Sequence, residues 1–202
     1  MLRVGFLASH GGSGMRASLD AIRTGVIRAE ASVVISNNST APALGIARQV
    51  GLPCYHLSAA TNPVPEDLDA TIRDTLHRHA TDIVLLSGYM KQVGPLTLER
   101  FRSRILNTHP GLLPRFGGKG MYGDQVHRAV LAEGVPVTGA TLHVVDGTYD
   151  HGPLLRQRKV PVLAGDTVET LRERVQAAEC LLIVGVLADL AAGGLHLPLA
   201  AF

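Results

Sequence analysis

The stretch Leu2-Arg3-Val4-Gly5-Phe6-Leu7-Ala8-Ser9-His10-Gly11-Gly12-Ser13-Gly14 decides the fold. Leu2–Ala8 is an aliphatic run of strand length, and Ser9–Gly14 is a glycine-rich turn. Met15–Arg28 follows with apolar residues at helical spacing. Strand, tight turn and helix in succession make the first unit of an α/β sheet. The alternation continues along the chain. Ser32–Ser36 (SVVIS) predicts a second strand, Pro42–Val50 a short helix and Pro53–His56 a third strand. Pro65–His79 predicts a helix with Leu68, Ile72 and Leu76 on one face, and Asp82–Leu86 (DIVLL) a buried strand. Pro95–Arg102 predicts a short helix opened by proline, and Arg104–Asn107 another strand. Such alternation implies a mostly parallel sheet with helices on both faces. In the last third, Gly139–Val145 and Leu154–Val162 flank the polar turn Asp146–Gly152 and predict an antiparallel pair. Asp166–Ala192 predicts a long helix, with Asp166 or Thr167 as its N-cap and Gly193-Gly194 as its stop. The expected fold class is α/β, one domain over 1–202 with a Rossmann-like mixed sheet.

Composition narrows the function classes. Of 202 residues, 46% are hydrophobic and 4% aromatic, with no Trp, so the core is built from Leu, Val, Ile and Ala. That apolar content excludes intrinsic disorder. Lys and Arg number 19 against 17 Asp and Glu, a net charge of +2, which argues against a dedicated nucleic-acid binder. Cys54 and Cys180 stand alone, with no CxxC and no ligand spacing, so a reduced, cytoplasmic setting is expected. The opening MLRVGFLASH lacks the features of a signal peptide, and the apolar run near Leu181–Leu187 is too short to span a bilayer. No HExxH, GxSxG or GxxxxGK[ST] occurs, so neither a catalytic metal nor a serine nucleophile is expected. His77 and His79, two apart on a helix, face different directions, and His127, His143 and His151 fall in no ligand spacing. Arg100, Arg102 and Arg104 around Phe101 read as a solvated basic face.

Three features carry chemistry. Gly11–Gly14, between a strand and a helix, directs backbone N–H groups and a helix N-terminus at an anion. Gly12–Ala17 also satisfies GxGxxA, but the second strand ends in Ser36-Asn37-Asn38, without the carboxylate that would bind a nicotinamide cofactor's ribose. A single phosphate fits better; a turn with glycines for geometry alone is the plain alternative. The second feature is Asn107-Thr108-His109-Pro110-Gly111-Leu112-Leu113-Pro114, at the carboxyl end of a strand. Asn107 and His109 share one face of an extended chain, an amide donor beside an imidazole, suited to an oxyanion and a proton transfer. The third is Asp146-Gly147-Thr148-Tyr149-Asp150-His151-Gly152-Pro153, either a solvated turn or the source of a carboxylate that orients His109.

Together these features resemble the folate-dependent formyltransferase family, in its branch acting on glycinamide ribonucleotide in purine synthesis. The resemblance runs from about Arg3 to Ala192, through the glycine turn, Ser36-Asn37-Asn38, Asp82–Val93, Asn107–Pro114, Thr141–Val145, Tyr149–Pro153 and Val160–Asp166. It implies that Asn107, His109 and Asp150 are the catalytic set. It implies that the amine of the acceptor attacks the formyl carbon of 10-formyltetrahydrofolate, with no metal. Imidazolium His109 and Asn107 would stabilise the oxyanion, and Asp150 would favour the charged form of His109. Gly11, Gly12, Ser13 and Gly14 match the substrate's phosphate loop, and Glu179 matches its ribose contact. Tyr89, Met90, Lys91, Gln92 and Val93, with Val144 and Asp146, match the folate pocket. The substrate's phosphate then falls to the N-terminal half (about 1–100) and the catalytic and folate residues to the C-terminal half (about 101–202). Small-molecule partners, no nucleic acid or membrane, and a monomer or homodimer are expected. The family's Ser-Asn reads Ser13-Gly14 here, its Phe-Met-Arg reads Tyr89-Met90-Lys91, an Arg has no match in Asn62–Asp67, and Phe116–Asp124 replaces a Pro-Gly stretch. An amino sugar nucleotide as acceptor, or hydrolysis with water as acceptor, are the neighbouring readings. The additional domains of the hydrolases and of the tRNA-directed relatives are not expected.

Overall fold

The computed structural model describes residues 1–197. Its elements are β1 (Leu2–Leu7), α1 (Ser13–Arg23), β2 (Ala29–Ser36), α2 (Pro42–Gln49), β3 (Cys54–His56), α3 (Pro65–Arg78) and β4 (Ile83–Leu86). There follow α4 (Pro95–Arg100), β5 (Ile105–His109), α5 (Asp124–Glu133), β6 (Val137–Val144), β7 (Leu154–Pro161) and α6 (Val168–Ala192). The strands form one sheet in the order β3-β2-β1-β4-β5-β6-β7. Pairing is parallel from β3 to β5 and antiparallel from β5 to β7, the mixed sheet expected from sequence.

Strand residues alternate between two apolar layers, as a period of two requires. Val4, Phe6, Val34, Leu85 and Leu106 join the layer covered by α1, α2, α5 and α6. Leu7, Val33, Ile35, Val84, Leu86 and Ile105 join the other, with Ile72 and Leu76 of α3 and Phe101 just beyond α4. Both faces are buried, which is why the strands read as continuous aliphatic runs. The chain moves from β1 outward to β3, then returns to place β4 on the other side of β1. Ligands of open α/β sheets bind at such a reversal, outside the carboxyl ends of the strands. The segments after β1 and β4 and the end of β5 therefore frame the site.

Two boundaries and one helix differ from expectation with identifiable causes. α1 stops at Arg23 instead of Arg28, because Gly25 adopts φ +77 and turns the chain so that Ile27 is buried. β5 runs on to His109, because β6 pairs with it: Asn107 lies opposite His143, and His109 opposite Thr141. α5 was not expected; it lies between Gly123 and Gly134, both at positive φ, and buries Val126, His127 and Val130. At α6, Thr167 is the N-cap of a capping box with Thr170, and Gly193 ends the helix in the left-handed conformation. α6 is long and apolar enough to cross a membrane by length alone, but it buries Leu171, Val175, Leu182, Ile183, Val186 and Leu187 in the fold. Each such burial contributes about 1.5–3 kcal/mol. One buried carboxylate sets the frame of the site. Asp69 of α3 accepts the Leu96 and Thr97 amides at 2.7 and 3.1 Å and the Thr97 hydroxyl at 2.6 Å. It thereby caps α4 from outside and fixes the segment leading into it.

Candidate active site

The turn after β1 is held from below. Ser9 donates its amide to the Gly88 carbonyl at 3.2 Å. Its hydroxyl donates to Asn37 Oδ1 at 2.5 Å and accepts the Met90 amide at 2.7 Å. The Ser36-Asn37-Asn38 stretch thus braces the turn against the segment after β4. Gly12, at φ 61, begins α1 without a side-chain cap. Met15 donates its amide to Ser87 Oγ at 2.9 Å and Arg16 to the Gly12 carbonyl at 2.8 Å. The Ser13 and Gly14 amides find no acceptor among the described residues. Free N–H groups at a helix N-terminus form an anion site. A Cβ at Gly14 would lie 2.5 Å from Ile183 Cδ1, so the missing side chain reflects close packing of α1 on α6.

At the end of β5, His109 is only 2% exposed. Its Nε2 lies 2.7 Å from the Phe116 carbonyl and its Nδ1 3.4 Å from Asp150 Oδ2. An N–H must donate to a carbonyl, so Nε2 carries the proton and Nδ1 faces the carboxylate. Asp150 sits at φ 55 and accepts the Gly118 amide at 3.0 Å. Asn107 Nδ2 lies 3.2 Å from Nε2 of His143, whose Nδ1 is 3.0 Å from the Val144 carbonyl. Nδ1–H of His143 therefore donates to the backbone, and its Nε2 faces the Asn107 side-chain amide and fixes its orientation. Asp150 Oδ1 is 3.6 Å from the same Nε2. Asn107, His109 and Asp150 are thus brought together as expected, with His143 as a fourth member that sequence reading did not single out. Its signal is the register of β6 against β5, which no local spacing reveals.

The electrostatics refine the expectation for His109. Burial lowers its pKa below the usual histidine value; Asp150 and the Phe116 carbonyl act in the opposite direction but do not outweigh burial. The lowered pKa favours the neutral imidazole in the absence of substrate. Burial acts to raise the Asp150 carboxyl, but His143, His109 and the Gly118 amide hold it below the ordinary carboxylate range. Burial also pushes the Glu179 carboxyl on α6 up to about 7, against a hydrogen bond with Thr108. Tyr89 is pushed up to about 12, by burial first and by Asp69 second.

These groups surround a cavity of about 630 Å³, lined by Ser13, Gly14, Tyr89–Lys91, Asn107, His109, Asp150, Gln176 and Glu179. A second hollow of about 730 Å³ continues past Gly11, Gly12 and Ser13 toward Arg16 and Glu173. A small recess of about 80 Å³ lies between Tyr89, Gln92, Val93, His143 and Tyr149, where Gln92 Nε2 donates to the Gly147 carbonyl at 2.9 Å. Ser13, Gly14, Tyr89–Lys91, Asn107, His109, Asp150 and Glu179 therefore line one cavity, with Gly11 and Gly12 in the adjoining hollow and Gln92 and Val93 in the small recess. Two expected residues are placed apart from it. Asp146 accepts the Thr148 amide at 3.0 Å and pairs with His151 at 2.9 Å, within its own turn. Val144 is buried, and its carbonyl receives His143. Among the described residues no group of His, Cys, Asp and Glu could hold a metal ion.

The Formyl transferase family model matches residues 2–187. The chain is 41% identical over 192 residues to phosphoribosylglycinamide formyltransferase of Mycobacterium tuberculosis, covering 95% of this chain and 86% of that protein. It is 39% identical over 184 residues to the chloroplastic phosphoribosylglycinamide formyltransferase of Vigna unguiculata, covering 91% of this chain and 59% of that relative's length. The crystal structure of glycinamide ribonucleotide transformylase 1 from Symbiobacterium toebii superposes with a TM-score of 0.90 at 39% identity, covering 98% of this chain and 91% of that one. By a family match over residues 2–187 and these identities over most of its length, the chain belongs to the formyl transferase family.

Proposed function

We propose that the protein transfers the formyl group of 10-formyltetrahydrofolate to the primary amine of glycinamide ribonucleotide. One observation carries the reading: His109, Asn107 and Asp150 meet on one wall of a cavity whose other wall is the turn with free Ser13 and Gly14 amides. A phosphorylated amine held by that turn has its nucleophile directed toward the catalytic set. The names of the relatives agree with this acceptor.

The amine nitrogen attacks the formyl carbon, and the carbonyl π electrons move onto oxygen. The Asn107 amide, oriented by His143, stabilises that oxyanion. Neutral His109 takes up the proton shed by the new ammonium at Nδ1, through water. The resulting imidazolium lies between the Phe116 carbonyl and the ionised Asp150 carboxylate. As the adduct collapses, its carbon–nitrogen bond to folate breaks, and the proton passes to the departing nitrogen. Formylated amine and tetrahydrofolate are the products, and the enzyme is regenerated. Tyr89–Val93 supply the folate wall, with the small recess beside Gln92 and Val93 as the entrance for the ring system. Glu179 meets the ribose hydroxyls; with its carboxyl near half-protonation at neutral pH, it can accept or donate.

The test offers the purified protein 10-formyltetrahydrofolate with glycinamide ribonucleotide, with an amino sugar nucleotide, and with no amine. Formylation of glycinamide ribonucleotide alone is expected. Preferential formylation of the amino sugar would reassign the acceptor, and equal folate turnover without any amine would make the protein a hydrolase.

A further inference from the structure

We propose that Ser87 is a substrate-contacting residue of the anion site: it accepts the Met15 amide and donates its own hydroxyl to the phosphate of the ligand. The proposal deepens the reading of the glycine turn as a phosphate cradle, and rests on it. Ser87 follows directly on β4, whose carboxyl end opens into the crevice at the chain reversal. Its side chain is 4% exposed, yet it lines both large cavities that flank the turn. Its Oγ accepts the Met15 N–H at 2.9 Å, which commits a lone pair to the first turn of α1. A hydroxyl has one proton to give as well as lone pairs to receive. Among the described residues, no acceptor takes that proton. Burying a hydroxyl with its donor unused is unfavourable, so a partner from the ligand is the economical solution.

The surroundings direct the same hydroxyl at the turn. A Cβ built at Gly14 would lie 3.2 Å from Ser87 Oγ. The hydroxyl therefore sits against the first turn of α1, close to the Ser13 and Gly14 amides, with Ile183 closing its other side. Two backbone donors and one hydroxyl then face a phosphate monoester. Ser87 also begins the segment that continues through Met90, which Ser9 ties to the same turn at 2.7 Å. A phosphate seated on Ser87 therefore steadies the wall expected to hold folate.

Calorimetric binding of ribose 5-phosphate and of ribose to the full chain tests this without requiring formyl transfer. Ser87→Ala should weaken ribose 5-phosphate by about 10- to 100-fold, the range for losing a hydrogen bond to a charged group, and leave ribose unchanged. Ser87→Cys, which keeps the volume but is a weak donor, should fall with it, and Ser87→Thr should stay within about threefold of the parent. In turnover, Ser87→Ala should raise KM for the phosphorylated amine with kcat little changed. Parent-like binding of ribose 5-phosphate by Ser87→Ala overturns the proposal. So does an equal loss for ribose, or failure of Ser87→Thr to rescue, since either marks mere structural support. Parent protein that binds ribose 5-phosphate but transfers no formyl group refutes the formyltransferase reading and leaves the anion site standing; parent protein that binds neither probe refutes the proposal.

Discussion

Replacing Asp150 with Asn isolates the charge of the proposed relay. Asp150 occupies φ 55, a region that Asn tolerates better than most residues, so the exchange adds little backbone strain. The amide oxygen can still accept the Gly118 N–H that the carboxylate accepts at 3.0 Å. What disappears is a negative charge 3.4 Å from His109 Nδ1 and 3.6 Å from His143 Nε2. Unit charges at 3.4 Å attract by about 5 kcal/mol at an effective dielectric constant of about 20, an upper bound for this pair. The Asp150 side chain is 12% exposed and the cavity is open to water, so roughly half of that is a realistic loss from the transition state. The expected fall in kcat is about 30- to 100-fold, with folate affinity nearly unchanged. The pH dependence has a definite sign. Asp150 raises the His109 pKa against burial, so the Asp150→Asn exchange leaves only the Phe116 carbonyl to oppose burial and lowers the pKa further. With neutral His109 as the active form, the acid limb of kcat/KM moves to lower pH. Stopped-flow formyl transfer from about pH 4.5 to about pH 9 measures both effects. Activity within about threefold of the parent, or an acid limb that stays or moves upward, would refute the pairing.

Other predictions address neighbouring parts of the site. His109→Ala should lower turnover by about 10²- to 10⁴-fold while folate binding by fluorescence titration stays near the parent value; parent-like turnover would remove His109 from the chemistry. Glu179→Gln should raise KM for glycinamide ribonucleotide about tenfold and abolish any change in that KM around pH 7, whereas a KM that still titrates there assigns the effect elsewhere. Asp69→Ala strips three hydrogen bonds from the start of α4 and should cost about 2–4 kcal/mol in urea unfolding, with weakened folate binding; an unchanged midpoint would disprove the capping role. Burial lowers the folded pKa of both His109 and His127 below the unfolded value. The stability of their neutral forms is present above about pH 6.5 and is lost as pH falls through the folded pKa values, so thermal midpoints should drop on acidification.

The parallel part of the sheet was legible because each strand is buried on both faces, leaving runs such as Ile83–Leu86 with no polar interruption. The α1 and α6 ends show the power and the limit of local signals. Thr167 and Gly193 announce their caps, whereas Gly25 ends α1 only because the chain must turn to bury Ile27. α5 follows a glycine-rich segment and mixes polar with apolar residues, so its Val126 and Val130 stripe is weak until α6 provides the surface that covers it. At the site, Asn107 and His109 were legible as neighbours on one strand end. Asp150 needed the family resemblance, since spacing along the chain leaves its direction open. His143 required the antiparallel register that sets it opposite Asn107. The protonation state of His109 was the least legible feature, because it depends on a balance between burial and a charge brought in from another turn.

The most direct measurement follows a labelled formyl carbon on 10-formyltetrahydrofolate through a single turnover with glycinamide ribonucleotide, with products separated by mass spectrometry. The label should appear on the glycinamide amine, at a rate at least about a hundredfold above its release as formate, and Asp150→Asn should slow that transfer. Label released as formate at the same rate with and without the amine would contradict a formyltransferase built on Asn107, His109 and Asp150.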